Sequence, residues 1–259
     1  MGLHKDEKLN HLLELLPEGV AAPSHWLSEQ GYSRQLLRKY VQGNWLKPLG
    51  RGVYARPQVE VRWQGVVLGM QRLAGLSFHV GGISALNRQG FAHYLPLGGE
   101  KEIHLWGQGK VPAWVRTVPL PEKLQFHSSR LFDPQAAGTG LVDKSAGVRD
   151  WTIQMSAPER AIMEVLYEVQ DYEASFIHAL ELFEGLTSLR PAVVNTLLQH
   201  CRNLKVKRLF LFMAGRVAYP WCEKIDNTKI ELGSGKRVIV KGGKLDKHYL
   251  ITVPERLDV

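Results

Sequence analysis

Five hydrogen-bonding side chains, Arg34, Gln35, Arg38, Lys39 and Gln42, recur at helical spacing behind Ser33, a good N-cap. If Leu36, Leu37, Tyr40 and Val41 face inward, the 3.6-residue period turns all five outward, with no acid among them. Arginine can pair with guanine and glutamine with adenine in the major groove, which is wide enough for a helix. Ser33, at the positive end of the helix dipole, suits a backbone phosphate. Lys47 and Arg51 follow in a glycine-bearing loop and are expected at the tip of a hairpin, within reach of the flanking backbone or minor groove. This chemistry is recognition without bond-making.

Other constellations fall short of chemistry. Gly233-Ser234-Gly235-Lys236-Arg237 imitates the end of a phosphate loop, but Ile230 and Arg237 stand where that loop needs Gly and Ser or Thr, so a tight hairpin turn is expected. Gly107-Gln108-Gly109-Lys110 has Pro112 in place of the last glycine of a dinucleotide fingerprint. His200, Cys201 and Cys222 lack zinc-site spacing, so no metal or other cofactor is expected, and two cysteines make no disulfide framework. No Gly-x-Ser-x-Gly motif accompanies the ten histidines. A metal-dependent nuclease would need clustered carboxylates, whereas Glu159, Glu164, Glu168, Asp171 and Glu173 are spread along one or two helices as a solvated or partner-facing surface. No catalytic residue is expected.

The recognition strip needs a scaffold. Leu9, Leu12, Leu13 and Leu16 mark a first helix ended by Pro17 to Gly19. A second, short helix runs from Pro23 to Gln30, with Gly31 at its left-handed C′ position. The strip itself is the third helix, Arg34 to Gln42, closed by Gly43 and Asn44. Two short strands, Trp45-Leu46 and Val53-Tyr54, then flank the loop 47–52. This order is that of a winged helix-turn-helix. Helices are expected over 61–76 and 83–89; strands over 103–106, 114–120 and 148–155; helices over 157–170, 173–184, 191–203 and 205–216; and strands over 230–232, 237–240 and 249–253.

The chain of 259 residues carries a net charge of +8, unevenly spread. Residues 1–57 hold eight basic and five acidic side chains, 58–149 ten and six, 150–199 two and eight, and 200–259 thirteen and six. An acidic stretch thus separates two basic regions, which points to a polyanionic partner. The second region, Arg202, Lys205, Lys207 and Arg208 with Lys236, Arg237, Lys241, Lys244 and Lys247, admits extra DNA contact, RNA contact or a solvated face. No apolar run approaches membrane-spanning length and Met1 to Asn10 lack an export signal, so the expected location is the cytoplasm, with no membrane partner.

The stretch Ser33–Tyr40, then Trp45-Leu46 and Gly50–Tyr54, resembles the amino-terminal domain of AbiEi-type antitoxins. His79–Leu86, Gly90–Leu95, Ser156–Ala161, Leu182–Leu186, Val206–Leu211 and Gly233–Arg237 are similar to the same family, so the likeness covers nearly the whole chain. The resemblance implies a DNA-binding antitoxin and repressor of its own operon, acting through inverted repeats in double-stranded operator DNA. Its partner is then a nucleotidyltransferase-like toxin encoded alongside, neutralised through the carboxy-terminal part without a stable complex. The expected fold class is α+β: an N-terminal DNA-binding domain over 1–95, with a winged core at about 5–57, then a larger mixed sheet-and-helix antitoxin domain over 96–259. The competing reading is a protein-interaction module that grips an acidic partner with the same helix.

Overall fold

The computed structural model describes residues 5–91, 101–128 and 130–257. They form an α+β protein with two compact units. The division is not a single cut, because, among the described residues, segments 5–79, 101–128 and 143–154 make one unit and 80–91, 130–142 and 155–257 the other. The expected boundary at 95/96, and the Ala92–Leu95 end of one family-like segment, lie outside the described residues.

The first unit opens with α1 (Lys5–Leu15), β1 (Ala22–Pro23), α2 (Ser24–Glu29), α3 (Arg34–Gln42), β2 (Lys47–Gly50) and β3 (Val53–Ala55). The three strands form an antiparallel sheet in the order β1-β3-β2. Helix α2 ends in a Schellman motif: Tyr32 N–H donates to Leu27 O and Gly31 N–H to Ser28 O, with Gly31 at φ +86°. Helix α3 ends the same way, through Trp45 N–H to Tyr40 O and Asn44 N–H to Val41 O, with Asn44 at φ +55°. That second motif uses up Trp45 and Leu46, so the wing strand begins at Lys47 rather than at Trp45 as expected. Pro48 is tolerated in β2 because β2 is an edge strand with one partner.

Next come α4 (Trp63–Leu68), a π-helical turn (Gly69–Leu73), and β4 (His79–Val80). The backbone of Gly19 to Ala21 lies directly on the helix surface, with Ala21 N–H donating to Gly65 O at 3.1 Å. A Cβ on Gly65 would meet the Gly19 carbonyl, and one on Gly69 the Ala21 carbonyl. Two glycines four residues apart therefore let the chain entering β1 touch helix backbone. Beyond α5 (Gly82–Arg88), which belongs to the second unit, β5 (Glu102–Gly107) and β6 (Lys123–Ser128) run parallel in register from Glu102↔Lys123 to Gly107↔Ser128. With β7 (Leu141–Val148) and β8 (Trp151–Ser156) they make a sheet ordered β6-β5-β4-β8-β7. Three expectations are corrected in this region. Residues 114–120 are not a strand but carry a 3-10 turn (Ala113–Thr117), opened by Pro112 and closed by Thr117 Oγ1 donating to Trp114 O at 2.8 Å. The strand β6, short and half polar, carries no strand signal in the sequence. The segment expected over 148–155 is split by a turn at Arg149, whose φ is +46°, so β7 and β8 flank it.

In the second unit, α6 (Pro158–Glu168) packs against α5, α7 (Glu173–Glu184), α8 (Pro191–His200) and α9 (Leu204–Val217). Two acids expected on a solvated surface are buried in it. Glu164, 1% exposed, accepts from Gly82 N–H (2.8 Å), Ser156 Oγ (2.8 Å) and Arg160 Nε (3.1 Å). Glu159 accepts from the N–H, Nε and Nη2 of Arg190, each at 2.9 Å. Periodicity places both on a polar helix face and cannot show that the face is covered. The expected strands over 230–232 and 237–240 do not form, and β9 (Lys244–Asp246) pairs instead with β10 (Ile251–Val253). The Arg208 guanidinium donates to the carbonyls of Leu232, Gly233, Gly235 and Leu250 and so ties this segment to α9. Gly233 and Gly235 still turn the chain, at φ +63° and +82°.

Candidate nucleic-acid interface

Helix α3 divides as its sequence dictates. Leu37 and Tyr40 are buried and Leu36 and Val41 half-buried, whereas Arg34, Gln35, Arg38, Lys39 and Gln42 are all exposed. Ser33 Oγ accepts from Leu36 N–H at 3.3 Å, so the N-cap forms as expected. None of these five side chains meets a carboxylate among the described residues, so their donors stay open to an outside partner.

Tyr32 holds the helix in place from below. Its hydroxyl donates to Lys8 O (3.1 Å) and meets His11 Nδ1 (2.9 Å), both on α1, and its ring lies 6.4 Å from that of Tyr40 on α3. Burial, with the neighbouring Tyr40 phenol, pushes the Tyr32 phenol up to about 12. The C-terminal carbonyls of α1 are covered in turn by two arginines from distant segments: Arg56 donates to Leu13 O (3.3 Å), and Arg149 to Glu14 O (2.9 Å) and Leu13 O (3.3 Å). Arg56 is further fixed by Glu18 at 2.8 Å.

The hairpin after α3 places Arg51, exposed, at its tip beside Gly52, whose φ is +76°. Lys47 is not at the tip. It is half-buried and pairs with Ala55 at the base of the hairpin, because the strand starts two residues later than the sequence suggests. The wing is braced within its own unit, since a Cβ on Gly50 would lie 2.7 Å from Thr117 Cβ.

The second set of basic residues is not one surface. Lys207 and Arg208 are buried, and Lys205 spends its ammonium on Tyr167 O (2.7 Å) and Val169 O (2.9 Å). Burial lowers the pKa of both Lys205 and Arg208. These three therefore leave the expected set, Lys207 and Arg208 because the apolar face of α9 is wide enough to bury them with the leucines and phenylalanines beside them, and Lys205 because two carbonyls hold its ammonium. Arg202, Lys236, Arg237, Lys241 and Lys244 remain exposed, as does Lys247. Of these, Arg202 pairs with Asp133 and Lys241 with Asp171 at 2.6 Å. The Arg202 guanidinium and the Lys241 ammonium each hold their partner carboxyl below the usual carboxylate range.

Sequence reasoning missed Trp45, which stands 42% exposed where α3 gives way to the wing. It also missed Arg56 and Arg149, since nothing in their local sequence marks a cap on a remote helix. The cysteines are free thiols, Cys201 buried and Cys222 partly so, and no cluster of potential metal ligands occurs among the described residues. No helix among the described residues is long and apolar enough to cross a membrane.

An N-terminal part with an exposed cationic third helix, followed in the chain by a larger sheet-and-helix part, is an arrangement suited to a nucleic-acid-binding regulator. Family comparison agrees: residues 5–97 match the model described as "Transcriptional regulator, AbiEi antitoxin N-terminal domain", and residues 100–254 that described as "Transcriptional regulator, AbiEi antitoxin, Type IV TA system". The chain belongs to the AbiEi family of transcriptional regulators and antitoxins of type IV toxin–antitoxin systems. Its fold is similar to the crystal structure of the RV2827C protein from Mycobacterium tuberculosis, with a TM-score of 0.53 at 14% identity over 96% of this chain and 90% of that one. No curated protein matches the sequence significantly.

Proposed function

We propose that this protein represses its own operon by binding inverted repeats in double-stranded operator DNA through the exposed face of α3. Arg34, Gln35, Arg38, Lys39 and Gln42 read base edges, Ser33 and the helix N-terminus sit at a phosphate, and Arg51 reaches the flanking backbone from the wing. The DNA-binding part is residues 1–95, and residues 96–259 counter a nucleotidyltransferase-like toxin encoded beside it, without a stable complex. The protein works in the cytoplasm and catalyses no reaction. The observation that carries this reading is the all-donor strip, exposed along the whole of α3 and free of carboxylate partners among the described residues. In the carboxy-terminal part, the exposed Lys236, Arg237 and Lys244 offer a further contact for nucleic acid phosphate, whereas Arg202 and Lys241 are already paired with Asp133 and Asp171.

The experiment is a mobility-shift titration at fixed salt with duplex from upstream of the gene and with a scrambled duplex of equal length. Preference for the upstream duplex by at least about a thousandfold is expected of a specific operator protein. Equal affinity for the two, or capture of an acidic protein with no preference between duplexes, would overturn the reading.

A further inference from the structure

We infer that Trp45 is an additional DNA-contacting residue, which lays its indole on the apolar part of the duplex, a thymine methyl or deoxyribose, at the end of the recognition helix. The inference rests on the operator-binding reading and extends its footprint beyond the charged strip. Trp45 occupies the C″ position of the Schellman motif that ends α3, where a hydrophobic side chain ordinarily folds back against the last helical turn. Here the residue buried at this corner is Leu46, 1% exposed, whose N–H also reaches Tyr40 O at 3.2 Å. Trp45 is thereby freed from the core and stands 42% exposed. Its backbone stays fixed by the 2.9 Å bond to Tyr40 O and by Asn44 in the left-handed region.

The indole is also held from beneath. A Cβ on Gly43 would come within 3.0 Å of Trp45 Cδ1 and 3.3 Å of Nε1, so the ring rests on the one residue of the turn that has no side chain. An aromatic ring kept in place and exposed, three residues after the exposed Gln42 and six after the exposed Lys39, is prepared for an apolar contact beside the cationic ones. Apolar contact with the thymine methyl is an established element of base readout. Because the indole neutralises no phosphate, its contact releases no counterion. That separates it from the contribution of a basic side chain.

The test uses the full chain and the upstream duplex. Trp45→Ala is expected to bind about tenfold more weakly than wild type, with an unchanged slope of log affinity against log salt and an unchanged thermal midpoint. Trp45→Phe is expected to lie between the two. If the alanine variant does not fold, tryptophan fluorescence decides: the quenching seen on adding duplex to wild type should be largely absent from Trp45→Phe. Affinity and quenching that do not depend on residue 45 would overturn the inference. So would unchanged affinity with loss of self-association by sedimentation, which would assign the ring to a second copy of the chain. A wild-type protein that shows no operator preference would overturn the operator reading itself and is recognised before any variant is compared.

Discussion

Glycine-to-alanine substitution should act in opposite directions at two helical positions, and the structure fixes both signs. At Gly65 the added Cβ would stand 2.9 Å from the carbonyl carbon of Gly19 and closer still to its oxygen. The obstacle is backbone, so no rotamer change relieves it, and Ala21 N–H is bonded to Gly65 O and holds the two segments together. Forcing them apart falls in the upper part of the range for overpacked cores, about 3 kcal/mol. For a unit of this size that is a drop of about 10 °C in Tm. Gly215 lies in α9 with nothing within 4 Å of a built Cβ, and is exposed. Alanine there removes backbone freedom from the unfolded chain and should stabilise by about 0.5–1 kcal/mol, or roughly 2–4 °C. Thermal unfolding followed by far-ultraviolet circular dichroism measures both. A Gly65→Ala protein that melts within a degree of wild type would refute the close approach on which the placement of β1, and with it the winged sheet, depends.

Arg51→Ala should weaken binding to all duplexes alike and reduce the salt slope by about 1, whereas Lys47→Ala, at the base of the wing, should leave the slope unchanged; titrations at several salt concentrations check both. Burial alone would raise the Glu159 carboxyl, but the donors of Arg190 outweigh it and hold the group below its ordinary value of 4.5. A lowered carboxyl stabilises the fold above that ordinary value and stops doing so as pH falls through the folded-state value. Urea midpoints should therefore drop between pH 5 and pH 3, and a Glu159→Gln series falling as steeply would remove this pair as a cause. Cys201, whose thiol burial pushes up to about 11, should resist a disulfide reagent at pH 8 until the protein is unfolded, while Cys222 reacts in the native state. Equal labelling rates would refute the burial.

What could be read from the sequence follows the range of the forces involved. Helix α3, its Ser33 cap, its exposed face and the Gly31 turn were legible because period, capping and left-handed φ are local properties of a few residues. The start of the wing was misplaced by two residues, because Trp45 and Leu46 have strand-like side chains but serve as a helix terminus. Residues 114–120 misled for a similar reason: Trp114, Val115 and Val118 favour a strand, yet the prolines around them and burial of the turn decide otherwise. Charge was the least legible property. Glu159, Glu164 and Arg208 have the composition of a solvated surface but are buried against partners 4 to 82 residues distant, and Lys207 is buried on α9. The candidate site was readable where it is a single helix, and unreadable where it depends on what packs beneath.

The central claim is that the exposed face of α3 reads bases, and the ratio of operator to random-duplex affinity tests it most directly when wild type is compared with Arg38→Ala at one salt concentration. Loss of a paired arginine contact to guanine is worth about 1–3 kcal/mol of discrimination, so the ratio should fall by roughly 5- to 150-fold. A ratio that the substitution leaves unchanged, in a protein with wild-type stability, would contradict the account.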